Sequence, residues 1–320
     1  MKSFSDLQEI IEQELRDINI PKTPENLYQP IDYLIGLGGK RIRPILVLIA
    51  YQLFDLNFRK AISPALGIEI FHNFTLIHDD IMDNASLRRG KQTVHEKWDN
   101  NVAILSGDIM LVHAYQLLFD VDKSIVKEVF SVFNKAATQV CEGQQIDMDF
   151  ETQEDIQLVD YMKMIENKTA VLLAASLQIG GIMAGASKEN QKNLYHFGLN
   201  IGIAFQLKDD LLDAFGNSDK FGKQIGGDII ANKKTFLYLK AFQLGNESQQ
   251  ETLLKFFNTN EVNGKVMSVQ SIFTELDIPK HTKDMMKAYY TKAMKHLEAI
   301  ESENKSPLII FSEKLMDRMS

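Results

Sequence analysis

Apolar residues recur at helical spacing along most of the chain, and this periodicity narrows the folds open to it. Leu7, Ile11 and Leu15 outline a first amphipathic helix. The sequence has no sustained alternation with a period of two, so no sheet is predicted. Further helices are predicted over residues 44–54, 65–83, 101–119, 124–150, 159–184, 188–215, 233–243 and 280–301. The pattern therefore predicts an all-α protein, and one domain over residues 1–320 is expected because no low-complexity linker divides the chain.

The 320-residue chain is 45% apolar and carries a net charge of −8. This apolar fraction suffices for a large core, and the negative charge argues against nucleic acid as a partner. A single cysteine, Cys141, excludes an internal disulfide and is typical of a reducing compartment. The N-terminal residues lack a signal-peptide pattern, and the most apolar runs, 44–54 and 171–185, are too short to span a bilayer. We therefore expect a soluble, cytoplasmic protein without a membrane span.

The pattern Asp-Asp-x-x-Asp occurs twice, each time at the end of an apolar helical run. The two triplets are Asp79, Asp80 and Asp83, and Asp209, Asp210 and Asp213. In each triplet the first and last carboxylates lie one helical turn apart on one face, and the middle one is rotated by about 100°. One triplet is compatible with a solvated helix end, but two favour a bound cation, because clustered carboxylates repel one another. Mg²⁺ in proteins usually combines one or two carboxylates with substrate phosphates, so a phosphorylated ligand is expected.

Glu69 and His72 have the Glu-x-x-His spacing of di-iron bundles, which is typical of a different metal site. Such sites need the motif twice, and no other histidine of the sequence follows a glutamate by three residues. His72 by itself is more typical of a core or capping histidine.

Basic segments occur near both triplets, although each one alone is also typical of an ordinary turn or helix end. Residues 38–44, Gly-Gly-Lys-Arg-Ile-Arg-Pro, join a glycine turn to a helix start, where backbone N–H groups are open to an anion. Arg88 and Arg89 follow the first triplet, and arginine offers bidentate contacts to phosphate. Lys168 precedes an apolar helix, where a lysine either pairs with an anion or reaches out to water.

The second triplet is followed by a polar, glycine-rich stretch over residues 216–228, which is typical of a mobile lid. Lys233 and Lys234 are then predicted to begin the next helix.

Taken together, these residues resemble the trans-type isoprenyl diphosphate synthases, the polyprenyl synthetase family. The matching segments are 38–44, 71–83, 87–91, 168–169, 205–213 and 234–236, so the resemblance covers about residues 30–240. It implies a single-domain antiparallel helical bundle around a deep central cavity, usually present as a homodimer. It also implies a prenyltransferase that condenses isopentenyl diphosphate with an allylic diphosphate, such as dimethylallyl, geranyl or farnesyl diphosphate.

The resemblance also implies a role for each matching residue. Direct ligands of Mg²⁺ would be Asp79, Asp83 and Asp209, and the residues that complete or orient the metal shell would be Asp80, Asp210 and Asp213. The allylic diphosphate would be bound by Arg88, Lys168, Lys223 and Lys233, with Lys234 a close alternative to Lys233. The diphosphate of isopentenyl diphosphate would be bound by Lys40, Arg43, His72 and Arg89. Oxygen dipoles from Thr169 and Gln206 would stabilise the carbocation, and the released diphosphate would take up the proton.

The chain length of the product would depend on Phe74 and Phe71, five and eight residues before Asp79. This floor role comes from the resemblance, because a helical wheel places Thr75 and His72 nearer to the Asp79 face, and both phenylalanines stay candidates for the core. A C15–C20 product is expected, with geranylgeranyl diphosphate favoured over farnesyl diphosphate.

Two rival functions are a class I terpene cyclase, which usually carries a different second metal motif, and a non-catalytic subunit of a heteromeric synthase, which tends to lose one triplet. The basic tail of some farnesyl synthases is reduced here to Arg318, so a role for that tail is not expected.

Overall fold

The computed structural model describes residues 1–216, 225–258 and 263–317. Its contacts divide the chain into two compact units. Unit 1 consists of Met1–Lys135, Leu173–Tyr195 and Leu297–Ser320. Unit 2 consists of Ala136–Leu172 and His196–His296.

Helices dominate the described residues. The N-terminal helices are α1 (Phe4–Arg16), α2 (Glu25–Gly36), α3 (Ile42–Gln52), α4 (Ile62–Met82), α5 (Val94–Lys97) and α6 (Asn100–Phe119), with a 3₁₀ turn at Phe58–Ala61. The central helices are α7 (Val126–Thr152), α8 (Leu158–Ile165), α9 (Val171–Met183) and α10 (Lys188–Phe215), with a π-helical turn at Glu166–Ala170. The C-terminal helices are α11 (Gly227–Ile230), α12 (Phe236–Leu244), α13 (Glu247–Phe257), α14 (Lys265–Glu275), α15 (Ile278–Ala299) and α16 (Ser306–Asp317).

The core of unit 1 is built around α3, whose residues from Pro44 to Gln52 are all buried. Such a continuous apolar sequence is expected of a helix that is covered on every side. Helix α4 buries its N-terminal part, from Pro64 to Phe71, and carries the first aspartate triplet at its C-terminal end. The apolar first part of α4 therefore anchors the polar end that bears the carboxylates.

Helix α6 is a further part of unit 1 and keeps an apolar stripe exposed. Leu105, Val112 and Phe119 recur at seven-residue spacing and are 58%, 49% and 67% exposed. By length and composition alone, α6 could cross a membrane, and a third of its most apolar stretch is buried. No other helix of the described residues meets that criterion.

The predicted all-α fold is confirmed, but several elements differ from the prediction. Leu87–Arg88 and Lys91–Gln92 form a short antiparallel ladder that was not predicted. Helices α2, α13, α14 and α16 were not predicted, and α2 has Pro30 inside it, a residue that disfavours a helix interior. The predicted helix over 159–184 is interrupted by the π-helical turn, and Lys233 and Lys234 precede α12 rather than beginning it.

Candidate active site

In the first triplet, Asp79 and Asp80 lie in the last turn of α4, and Asp83 is the C-cap residue that follows it. The backbone N–H of Asp83 donates to the carbonyl of Asp79 at 2.8 Å, which keeps the two carboxylates one turn apart. Asp83 is exposed and Asp79 half-buried, whereas the middle residue, Asp80, is almost fully buried. Arg88 neutralises Asp80: its Nε donates to both carboxylate oxygens at 2.8 Å, and its Nη2 lies 2.7 Å from Oδ1. Arg88 therefore still has N–H groups for a second anion, because a guanidinium has five.

A cationic cluster in unit 1 brings together residues that lie far apart in the sequence. Arg43 Nη1 donates to His72 Nε2 at 3.0 Å, so this nitrogen of His72 must be the acceptor. The guanidinium of Arg89 lies over Gly39, where a Cβ would meet Nη2 at 2.7 Å. Gly39 has φ +151°, so both backbone conformation and space favour glycine there. Lys40 is exposed beside this turn. The structure thus brings Arg43 to His72 and Arg89 to the 38–44 turn.

This cluster has the electrostatics of an anion site. Burial lowers the pKa of Arg43 to about 10, and its Nε is buried without a hydrogen-bond partner among the described residues. Burial, reinforced by Arg43, Arg89, Arg88 and Arg41, lowers the pKa of His72 well below its usual value. Burial also lowers the pKa of Arg89. An anion bound here would relieve all three effects, because it favours the charged forms.

The second triplet lies near the C-terminal end of α10, in unit 2. Asp209 is exposed, and Asp213 Oδ2 accepts the backbone N–H of Asp228 at 2.9 Å. Asp210 is buried and accepts hydrogen bonds from the Tyr161 hydroxyl and from Gln206 Nε2. Burial, the largest cause, raises the pKa of Asp210 well above its usual value, and Asp228 and Asp209 add to this while Tyr161 and Gln206 oppose it.

Asp147 pairs with two lysines of unit 2, Lys168 and Lys233. Its Oδ2 lies 2.7 Å from Lys168 Nζ and 3.5 Å from Lys233 Nζ. Lys233 Nζ also lies 3.4 Å from Glu151. These two ammonium groups oppose the effect of burial and leave the pKa of Asp147 below its usual value.

Lys234 has a different environment from its neighbour, since its Nζ donates to the backbone carbonyls of Phe150 and Gln153. Carbonyls near the end of a helix are a common partner for lysine. This arrangement favours Lys233 over Lys234 as the ligand of a substrate anion.

The π-helical turn presents Lys168 and Thr169 side by side. A Cβ on Gly143 of α7 would collide with the backbone nitrogen of Lys168, so glycine is what permits α7 to approach this turn. Thr169 Oγ1 donates to Gln206 Oε1 at 3.0 Å. The two residues predicted to face a carbocation are therefore in direct contact. π-helical turns are often found at functional sites.

Phe71 and Phe74 differ in their surroundings. Phe71 is 1% exposed and packs edge-on against Phe133, with ring centroids 5.1 Å apart, so it is a core residue. Phe74 is half-buried and contacts both Phe71 and His78, at 5.6 and 4.8 Å. Lys223 and most of the predicted lid, residues 217–224, lie outside the described residues, as does Arg318.

The aspartates of the two triplets differ in how well they suit a magnesium ion. Within residues 1–216, 225–258 and 263–317, no group of three His, Cys, Asp or Glu side chains forms a ready metal site. Asp79 and Asp83 in unit 1, and Asp209 in unit 2, are half-buried or exposed, so each of them is accessible to a hydrated hard cation that also takes substrate oxygens. Asp80 and Asp210 are buried and hydrogen-bonded, which fits a role in orienting neighbours rather than in direct binding.

Two residues of this chemistry were not predicted. Asp147 is a carboxylate within an apolar helical stripe that includes Val140 and Phe150, and this misplaced charge was a signal in the sequence. Tyr161 gave no such signal, because a buried tyrosine on an amphipathic helix is ordinary.

Comparisons with known proteins agree with this arrangement. The model of the polyprenyl synthetase family matches residues 24–276. A geranylgeranyl diphosphate synthase of Methanosarcina mazei is 42% identical over 224 residues, which cover 69% of each chain. A geranylfarnesyl diphosphate synthase of Natronomonas pharaonis is 39% identical over 261 residues, 76% of each chain. A crystal structure of a geranylgeranyl pyrophosphate synthase has a TM-score of 0.94 at 43% identity, with 99% of each chain covered.

The helical fold and these matches define a prenyl-transferring enzyme. The chain belongs to the polyprenyl synthetase family. The predictions of the family, the all-α fold and a short-chain prenyltransferase are thereby confirmed.

Proposed function

We propose that the protein transfers an allylic group onto isopentenyl diphosphate and releases geranylgeranyl diphosphate as its main product. The observation that carries this proposal is the cationic cluster of Arg43, His72 and Arg89, which contains no carboxylate triplet of its own. An enzyme that only ionises one diphosphate has no use for a second, metal-independent anion site. The cluster therefore supports a synthase over a terpene cyclase.

The proposed chemistry begins with loss of the allylic diphosphate. The C–O bond breaks, its electron pair leaves with the diphosphate, and an allylic cation remains. Arg88, Lys168 and Lys233 would bind the leaving group, with Lys223 as a further candidate. Asp79, Asp83 and Asp209 would hold Mg²⁺, which supplies Lewis-acid stabilisation of the leaving oxygens when bound. The chain's own cations provide the remaining charge complementarity.

Carbon–carbon bond formation follows. The double bond of isopentenyl diphosphate attacks the cation, and a proton is then lost to the released diphosphate. Lys40, Arg43, His72 and Arg89 would hold the diphosphate of isopentenyl diphosphate during this step. Thr169 Oγ1 and Gln206 Oε1 would orient oxygen lone pairs towards the cation, because their mutual hydrogen bond fixes both side chains. No side chain is assigned as a general base.

We also propose that Phe74 limits the length of the product chain. The half-buried ring of Phe74 leaves it open to a growing chain, whereas Phe71 supports it from the core.

We further propose that the protein forms a homodimer. The exposed stripe of Leu105, Val112 and Phe119 on α6 is an apolar surface that a second copy of the chain would cover. Sedimentation of the wild type and of Val112→Lys tests this: a dimer and a weakened dimer are expected, and a monomeric wild type would overturn it.

Incubations with defined starters, in the presence and in the absence of Mg²⁺, test the function. With farnesyl diphosphate and isopentenyl diphosphate, a C20 diphosphate is expected, with C15 from geranyl diphosphate as the shorter step. With farnesyl diphosphate alone, no hydrocarbon is expected, and its release would indicate a cyclase. A chelator should abolish elongation. No elongation with any starter would indicate a non-catalytic subunit instead.

A further inference from the structure

Arg41, between the two assigned residues Lys40 and Arg43, has a fully buried side chain. Its Nε donates to Glu12 Oε1 at 2.9 Å, its Nη1 to Glu69 Oε1 at 2.7 Å, and its Nη2 to the carbonyl of Ile35 at 2.7 Å. These partners lie on α1, α4 and the end of α2. One guanidinium thus fastens the start of α3 to three other helices, and it is too deep in the protein to touch a substrate.

The backbone of Arg41 is held in a conformation that arginine rarely adopts. With φ 48° and ψ 37° it lies in the left-handed region, which is unfavourable for a residue other than glycine. Such a conformation persists when surrounding contacts over-determine it. The three hydrogen bonds of the side chain supply those contacts, so the side chain holds the turn from Gly38 to Lys40 in place.

Glu69 and His72 lie one turn apart on α4 and clamp the basic segment at two points. Glu69 binds Arg41, and His72 accepts the hydrogen bond of Arg43. The Glu-x-x-His motif, which resembles half of a di-iron site, is thereby explained by contacts to two arginines. Movement of Arg41 would shift both Arg43 and the Gly39 turn on which Arg89 lies.

Glu69 is also an anion that could compete with the substrate for Arg43 and Arg89. Its side chain is 3% exposed, and Asn73 Nδ2 donates to the same Oε1 at 3.2 Å. The charge of Glu69 raises the pKa of Arg43 and of Arg89 against the effect of burial, so both lie within its electrostatic reach. A buried carboxylate that loses its cationic partner strongly destabilises the folded protein, so pairing with another cation becomes favourable. Without Arg41, the nearest candidates would be Arg43 and Arg89.

We propose that Arg41 is a positioning residue for the isopentenyl diphosphate site: it holds the 38–44 turn and neutralises Glu69, so that Arg43 and Arg89 stay available to the substrate. This inference rests on the proposed function of the cluster. Arg41 is not a catalytic residue, because its Nε, Nη1 and Nη2 atoms each donate to a protein acceptor.

The test compares Arg41→Met with the double variant Arg41→Met/Glu69→Met. The single variant should raise KM for isopentenyl diphosphate about 30-fold, because it leaves Glu69 unpaired. KM for farnesyl diphosphate should stay within about threefold. The double variant removes the unpaired carboxylate and should recover part of the lost affinity, because the Arg41 contacts that hold the 38–44 turn are still missing. Arg41→Lys, which keeps the charge with fewer hydrogen bonds, should be intermediate. Lys22→Met, in an exposed surface pair with Asp32, is the matched control.

Binding of inorganic pyrophosphate, measured by calorimetry in chelator, gives a readout that does not depend on turnover. Arg41→Met should weaken this binding, and the double variant should restore it in part. Equal losses in both KM values, or no recovery in the double variant, would mean a purely structural role and would overturn the proposal. If Arg41→Met fails to fold, Arg41→Lys and the double variant decide by the same criteria. A wild type that elongates no starter would instead refute the proposed function.

Discussion

Asp80 in the first triplet and Asp210 in the second occupy the same place in identical sequence patterns, and both are buried. Asp80 is neutralised by the guanidinium of Arg88, eight residues along the chain. Asp210 has neutral donors, the hydroxyl of Tyr161 and the amide of Gln206. Two copies of one motif are therefore stabilised differently, the first by charge and the second by hydrogen bonds.

This difference assigns each middle carboxylate a different neighbour to orient. Asp80 fixes Arg88, a proposed ligand of the allylic diphosphate. Asp210 fixes the amide of Gln206, which in turn accepts from Thr169. In the proposed mechanism, the first triplet would thus orient a cation for the leaving group, and the second would orient oxygen dipoles for the carbocation.

The largest effect is expected from Arg88→Met. It leaves the charge of Asp80 buried without a partner, so the free energy of unfolding should fall by about 3 kcal/mol. Denaturant unfolding measures this. Adding Asp80→Asn should recover much of the loss, and a single variant as stable as the wild type would show that the ion pair does not stabilise unit 1.

The second-largest effect is expected from Phe74→Ala, which tests the residue five positions before the first triplet. Phe74 stands five residues before Asp79, and the corresponding residue before Asp209 is Ala204. Removal of a half-buried ring should cost about 2 kcal/mol and lengthen the product by at least one five-carbon unit. Chromatography of the products measures the length. Phe71→Leu, a change in the core, should keep the wild-type product, and an unchanged product in Phe74→Ala would refute its role as a floor.

Tyr161→Phe removes one of the two side-chain hydrogen bonds that Asp210 accepts and should lower the free energy of unfolding by about 1–2 kcal/mol. Because this variant removes a neutral donor and not a charged partner, the loss of stability should be smaller than the loss caused by Arg88→Met. Turnover should also fall, because Gln206 and Thr169 lose part of their orientation. Thermal unfolding and kcat can be measured on the same samples, and a cost equal to that of Arg88→Met would remove the distinction between the triplets.

The smallest effect concerns His72, whose folded-state pKa lies well below 6.5 because of burial and the neighbouring arginines. As the pH falls through 6.5, the unfolded chain takes up a proton that the folded one does not, so stability is present above this pH and declines below it. Between about pH 7.5 and 5.5 the loss should be about 1 kcal/mol. His72→Gln, which keeps an acceptor for Arg43, should lack this part of the decline. Identical pH profiles of stability for the wild type and for His72→Gln would contradict this assignment to His72.

The sequence predicted the elements that carry the chemistry better than the contacts of individual residues. The helices that bear both triplets follow from apolar periodicity, and α10 has the predicted bounds. A helical wheel shows that each middle aspartate is rotated away from its neighbours, but it cannot show that Arg88 or Tyr161 lies on that side. Tyr161 is 49 residues from Asp210, and no local pattern encodes such a contact.

Helix α2 was missed for a different reason, since an internal proline costs about 3 kcal/mol of helix propensity. Burial of Ile31, Leu34 and Ile35 compensates for that cost. Tertiary packing, which one sequence does not display, therefore decided the outcome.

A single-turnover experiment with the wild-type protein tests the central claim most directly. Enzyme is mixed with farnesyl diphosphate, isopentenyl diphosphate and Mg²⁺, and pyrophosphate and prenyl products are quantified together, with Asp79→Ala as the control. One pyrophosphate should be released for each C20 diphosphate formed, and the control should release neither. Pyrophosphate released with a hydrocarbon or an alcohol in place of the C20 diphosphate, or full activity in the control, would contradict the account.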